Sequence, residues 1–180
     1  LDSEEDGTVT DDKLILALRS KVAKREHRAP ASLAALKAAE EALGFSIDPF
    51  LGRVYTEVSD GVVGPGHGAL SLVGRETLVS TYAAFRLGRW PKGLLPVWDW
   101  GDAIWSCVDT DGHIVTADDA GPPTLTDYTT RTWLRAWLDG VDLWRQIFDD
   151  KEATIINPFN GKPVVTKVRG TPKGRPWASP

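Results

Sequence analysis

Leu14, Leu18 and Val22 recur at i, i+4 and i+8, which places them on one face of a helix. Thr10 or Asp11 is a suitable cap for it, and the helix is expected to run to about Arg28, ahead of Pro30. Residues 1–9 are polar and acidic and predict a disordered start. Ser32 caps a second helix, Leu33 to Leu43, with Leu33, Leu36, Glu40 and Leu43 along one stripe and Gly44 as its left-handed stop. Asp48-Pro49 starts a third, Asp48 as cap and Pro49 at the first helical position, with Phe50 or Leu51, Val54 and Val58 facing inward until Gly61.

The pattern then changes. A glycine-rich loop spans 60–68, ALSLV (69–73) reads as a strand, and Thr77 to Leu87 reads as a helix with Leu78, Tyr82 and Phe85 inward. Strands are expected at Leu94–Asp99 and Ala103–Asp109, joined near Trp100-Gly101. A third, His113–Ala117, follows the turn Thr110-Asp111-Gly112, where Gly tolerates positive φ. After the loop at Pro122-Pro123, a long helix is expected from Thr129 or Thr130 to about Phe148, carrying Trp133, Trp137, Val141 and Trp144 on one face. Gly140 marks a place where it could kink or break. Helices, then strands, then a helix predict an α+β fold: a twisted, mostly antiparallel central sheet packed by N-terminal helices and one long C-terminal helix. The domain is expected to occupy 10–148. Residues 149–180 form a basic, Pro/Gly-rich extension, in which ATII and VV flank the turn NPFNGKP as a β-arm or a disordered tail.

Charge sharpens this division. The chain carries −4 overall, but residues 151–180 hold six basic side chains against Glu152 alone, a local charge of +5. The remainder therefore carries −9. An acidic body disfavours nucleic acid as a partner, because phosphate contacts need a basic face. It suits a basic protein. No stretch approaches the roughly 20 apolar residues that span a bilayer, and the acidic first residues are the opposite of a signal peptide, so no membrane association is expected. The absence of Met implies a trimmed or processed start. The single Cys107 forms no internal disulfide and is too little for a cysteine-based zinc site, so a cytoplasmic location is expected.

Three stretches, and with them a closing helix, together resemble the Smi/Knr-like proteins of the SUKH superfamily. Residues 39–61, AEEALGF followed by SIDPFLGRVYTEVSDG, are similar to the family's acidic helix, Leu-Gly-Phe, Leu-Pro and Asn-Gly-Gly. Leu43, Gly44 and Phe45 match; Ile47 and Pro49 stand near the Leu-Pro with Asp48 between them; Asp60, Gly61 and Val62 stand for Asn-Gly-Gly, departing at the third position. GPGHGALSL (64–72) resembles the following loop and strand. LLPVWDWGDAIWSCVDTDG (94–112) resembles a hairpin of bacterial members, with Trp98 and Asp102 where small residues or Cys are expected. WLRAWLDGVDLW (133–144) resembles the closing helix. The resemblance covers roughly 30–148. It implies an α+β fold that works by binding proteins: many bacterial members are immunity proteins that neutralise a toxin effector, and fungal relatives are regulatory scaffolds.

The residues offer several chemistries, each with a bland counterpart. Eight tryptophans are the most unusual feature. Trp133, Trp137 and Trp144 read as core. Trp98 and Trp100 share a strand face if the pleat holds, and with Trp105 they form either core or an exposed aromatic patch suited to a protein partner or to stacked sugars. Asp99, Asp102, Asp109 and Asp111 suit turns and solvated faces. Asp109-Thr110-Asp111-Gly112 faintly resembles the opening of a calcium loop but lacks its later ligands. The loop Gly64–Gly68 lacks the Gly-Lys-Ser/Thr ending of a phosphate loop, and His67 has no ligand partner nearby in sequence, with His27 and His113 far off. Ser106 and Cys107 sit inside a strand, without the sharp turn that exposes a nucleophile.

The resulting expectation is a non-enzymatic immunity-type protein that needs no metal or cofactor. A basic toxin domain would be its partner, met by Asp60, His67, Trp98, Asp99, Trp100, Asp102, Trp105 and Asp109. A regulatory scaffold and a carbohydrate-binding module are the alternatives.

Overall fold

The structure is a computed structural model that describes residues 4–24, 28–118 and 121–178, with side chains from Asp11 onward. His27 and the expected end of the first helix lie partly outside the described residues.

Local signals set most of the helices. α1 spans Glu4–Val22 and begins upstream of the expected cap. Residues 4–9, expected to be disordered, fall within it. α2 spans Leu33–Leu43; Ser32 accepts from Ala35 N at its start, and Gly44 stops it at φ +78. Its buried stripe is Ala39 and Leu43, while Leu33 is exposed. α3 spans Pro49–Arg53, with Asp48 Oδ1 accepting from Leu51 N. A helix of five residues is not stable alone. Burial of Phe50 and Leu51, worth about 1.5–3 kcal/mol each, holds it. It runs straight into a π-helical turn, Val54–Val58. α4 spans Leu78–Arg86 behind a reciprocal cap between Thr77 and Ser80.

The central sheet is an antiparallel meander closed by the tail. Strands β1 (Leu95–Gly101), β2 (Ile104–Val108), β3 (His113–Ala117), β4 (Thr124–Thr129) and β7 (Arg175–Pro176) follow in that spatial order. β5 (Lys151–Ile156) and β6 (Pro163–Val168) form a separate two-stranded arm. The expected α+β class with a mostly antiparallel sheet is observed.

The long C-terminal helix is not. α5 (Thr130–Leu138) ends where Gly140 takes φ +76, and Asp142 then caps a short α6, Leu143–Ile147. Glycine in the left-handed region ends a helix rather than kinking it. Val141, expected on the buried face, is exposed as a result. ALSLV is no strand either. It skirts the outer edge of β1, touching it at Ala69 and through Leu70 N to Val97 O, 2.9 Å. Beyond that, the buried Asp60 carboxylate takes the N–H groups of Leu72 and Val73 at 2.6 and 3.2 Å, so these donors need no ladder.

One face of the sheet carries the main core. Leu43, Phe50, Val54, Val97, Trp98, Ile114, Trp133 and Leu143 belong to it, so the stretches 43–61, 94–109 and 133–144 share one interior. α5 packs there on α1, α3, β3 and β4. The opposite face has a smaller cluster, Leu94, Cys107, Val115 and Ala117, flanked by Trp90, Trp105, Leu125 and Trp177. The tail completes that face: β7 pairs with β4, and Trp177 N donates to Pro123 O at 3.0 Å.

Candidate functional site

The β1–β2 turn is centred on Asp102 and Ala103, at φ 51 and 60, two positions beyond the expected turn at Trp100-Gly101. Positive φ at both central residues is the geometry that joins twisted antiparallel strands with two residues. It lifts the Asp102 side chain into solvent. The glycine loop 64–68 lies against this turn. His67 N donates to Asp99 O at 2.9 Å, and His67 Nδ1 stands 3.8 Å from Asp99 Oδ2. Side chains at Gly64 and Gly66 are excluded by close approach: a Cβ on the first would overlap the Trp98 ring, and one on the second would meet Asp99 O at 2.5 Å.

The eight expected contact residues separate into three groups. His67, Asp99, Trp100 and Asp102 come together at this turn, exposed or half-buried. Asp60, Trp98 and Asp109 are buried and cannot face a partner. Trp98 donates its indole N–H to Val63 O at 2.8 Å, and its ring lies 6.2 Å from that of Trp133. Asp60 holds Leu72 and Val73, with Arg28 at 3.8 Å. Asp109 Oδ1 accepts from Asp111 N and His113 N at 3.0 and 2.9 Å, so it ties the β2–β3 turn. Trp105, half-buried, lies on the other side of the sheet. It pairs with Asp99 across β1–β2, whereas Trp98 pairs with Ser106, and adjacent strand positions face opposite ways. The three hairpin tryptophans therefore form no common platform for a sugar.

Trp100 is instead joined by a residue assigned to the core from its helical spacing. Its indole N–H donates to Ser106 Oγ at 2.8 Å, and its ring lies 5.6 Å from that of Trp144 in an edge-on contact. Trp144 is half-buried because the break at Gly140 turns α6 away from the line of α5. It donates to both carboxylate oxygens of Asp150, at 3.0 and 3.1 Å. The result is a pair of rings, Trp100 and Trp144, ending on Asp150, with His67, Asp99 and Asp102 grouped at the adjoining β1–β2 turn; this pair and its border are termed the ridge. Nothing in sequence spacing joins Trp100 to Trp144; the hint was Gly140.

The remaining chemistry is quiet. Burial pushes the Cys107 thiol well above its ordinary pKa, so it stays protonated. Among the described residues, no three His, Cys, Asp or Glu side chains gather into a metal cage.

No protein family and no curated protein matches this chain.

Among the described residues, no helix is long and apolar enough to cross a membrane. The ridge is what this surface offers: two aromatic edges fixed by hydrogen bonds and set among carboxylates.

Proposed function

We propose that the chain is a non-enzymatic protein-binding domain of the Smi/Knr-like, immunity type, working in the cytoplasm. It captures a basic toxin domain on the ridge of Trp100 and Trp144. The observation that carries this reading is the half-buried Trp100–Trp144 pair bordered by Asp99, Asp102 and Asp150, on a body of charge −9. The α+β architecture and the residues 39–61, 64–72, 94–112 and 133–144 support the family resemblance. Long-range attraction to a cationic partner speeds the encounter, and the aromatic edges then bury.

Co-expression with the basic product of an adjoining gene, followed by affinity capture and binding kinetics, tests it. Asp99→Asn with Asp102→Asn keeps the turn geometry and removes two charges. Association is expected to slow about tenfold or more at low salt, with a shallower salt dependence. Unchanged kinetics in that double variant would remove the ridge from the interface. Failure of every neighbouring product to bind would remove the immunity role.

A further inference from the structure

The β5–β6 arm is a hairpin that leaves most of its apolar side chains in solvent. Among the described residues its strands pair with each other and with no other strand. Ile155, Val164 and Val168 lie on one face, Ile156 and Val165 on the other, and all are exposed. Phe159 at the tip is 96% exposed. It is nonetheless held in place: Phe159 N donates to Asn157 Oδ1 at 2.9 Å, and Gly161 N to Asn157 O at 2.8 Å. An isolated two-stranded hairpin is marginal in water, and contiguous exposed apolar surface marks a contact site.

The same chain carries an apolar cavity of about 830 Å³ on the far face of the sheet, lined by Phe85, Trp90, Pro91, Trp105, Pro122 and Pro123. Phe159, at 96% exposure, does not occupy the cavity of its own chain, and no residue of the arm lines it. Arg169, just beyond β6, pairs with Asp118 of the cavity wall at 3.4 Å and fixes the arm's root at the rim. Six residues of strand then carry the tip about 20 Å away.

We propose that the arm docks into this cavity on a second copy of the chain, Phe159 first, and that the second copy returns the contact. A root beside the rim gives each copy an arm and a cavity near one two-fold axis, as a closed isologous pair requires. Charge favours the same arrangement. The arm, residues 151–168, carries Lys151, Lys162 and Lys167 against Glu152, a charge of +2, and the rest of the chain carries −6, so contact between the arm of one copy and the body of another is attractive. This pairing is independent of the ridge around Trp100.

Sedimentation equilibrium on the full chain tests it, with two exposed-site variants that leave the core untouched. Phe159→Ser disarms the tip, and Pro122→Arg obstructs the cavity. The wild-type chain is expected to dimerise, and each variant to lose at least tenfold in dimer affinity. An equimolar mixture of the two variants is expected to regain association, because one intact arm still meets one intact cavity. A wild-type chain that stays monomeric would overturn the proposal. So would a dimer that survives Pro122→Arg, which would mean arms pairing with arms. Phe159-dependent sedimentation of a monomer with anionic phospholipid vesicles would assign the arm to lipid and overturn it as well.

Discussion

Trp177 donates its indole N–H to Asp109 Oδ2 at 3.2 Å, joining the tail to the β2–β3 turn across 68 positions of sequence. The other oxygen of the same carboxylate holds the turn itself, through Asp111 N and His113 N. One buried carboxylate thus coordinates a hairpin and the strap that closes the far face of the sheet. Asp109→Ala would leave three donors without their acceptor. It is expected to lower unfolding free energy by roughly 2–4 kcal/mol, more than Trp177→Phe, which removes the tail's donor at about 1 kcal/mol together with a little ring packing on the far face. Urea denaturation of the two variants measures the difference. Equal losses would show that the tail, not the turn, depends on Asp109.

Asp60 is the second buried carboxylate with a structural duty. It stands where the resembling family has Asn and serves the N–H groups of Leu72 and Val73. Asp60→Ala is expected to cost roughly 2–4 kcal/mol, because two shielded donors lose their partner. Asp60→Asn keeps an acceptor and is expected to recover most of that. Neither change should alter partner affinity once the fraction folded is accounted for. A direct loss of affinity in a fully folded Asp60→Asn protein would return this residue to the interface.

These two residues show where sequence reasoning reached and where it stopped. The caps Ser32 and Asp48 were legible because they are local: each accepts from a backbone N–H three positions on, as do Thr77 and Thr129, which the sequence marked only as helix starts. The Asp111-Gly112 turn was legible for the same reason. β4 was not, because TLTDYT has a single buried residue, Thr126, and shows no apolar alternation. The fate of the tryptophans was invisible because it depends on pairing. The register shift between Pro96 and Trp98, and the pairing of Trp105 with Asp99, decide which ring reaches which face. Of the candidate site, His67, Asp99, Trp100 and Asp102 are residues the sequence had singled out, while Trp144 was read only as core because nothing local says that Gly140 ends the helix.

Ala103 sits at φ 60 in the turn that presents Asp102. Left-handed backbone costs an alanine roughly 1–2 kcal/mol, and this turn type favours Asn-Gly or Asp-Gly. Ala103→Gly is expected to raise stability by about 0.5–1 kcal/mol after the added freedom of the unfolded chain is subtracted. The substitution leaves Asp102 and Trp100 in place, so partner association should not change. Thermal unfolding of the variant decides it, and a lower melting temperature would mean that the methyl group packs usefully.

The Arg53 guanidinium holds the Glu57 carboxyl below its ordinary pKa, through a hydrogen bond from Nε to Oε1 of 2.7 Å, while Asp12 and Arg19 complete the group. A carboxylate whose folded pKa is depressed adds stability that is fully present above its unfolded value and is lost as pH falls through the folded one. The wild-type protein is therefore expected to exceed Glu57→Gln in stability at pH 7. That advantage should fade as acid titrates from the ordinary carboxylate value near 4.5 downward. Glu57 is a third exposed, so solvent screening keeps the advantage under about 1 kcal/mol, and added salt should shrink it further. Chemical denaturation of both proteins between pH 7 and pH 3 gives the comparison. A gap that stays constant across that range would locate Glu57's contribution in the packing of its side chain rather than in its charge.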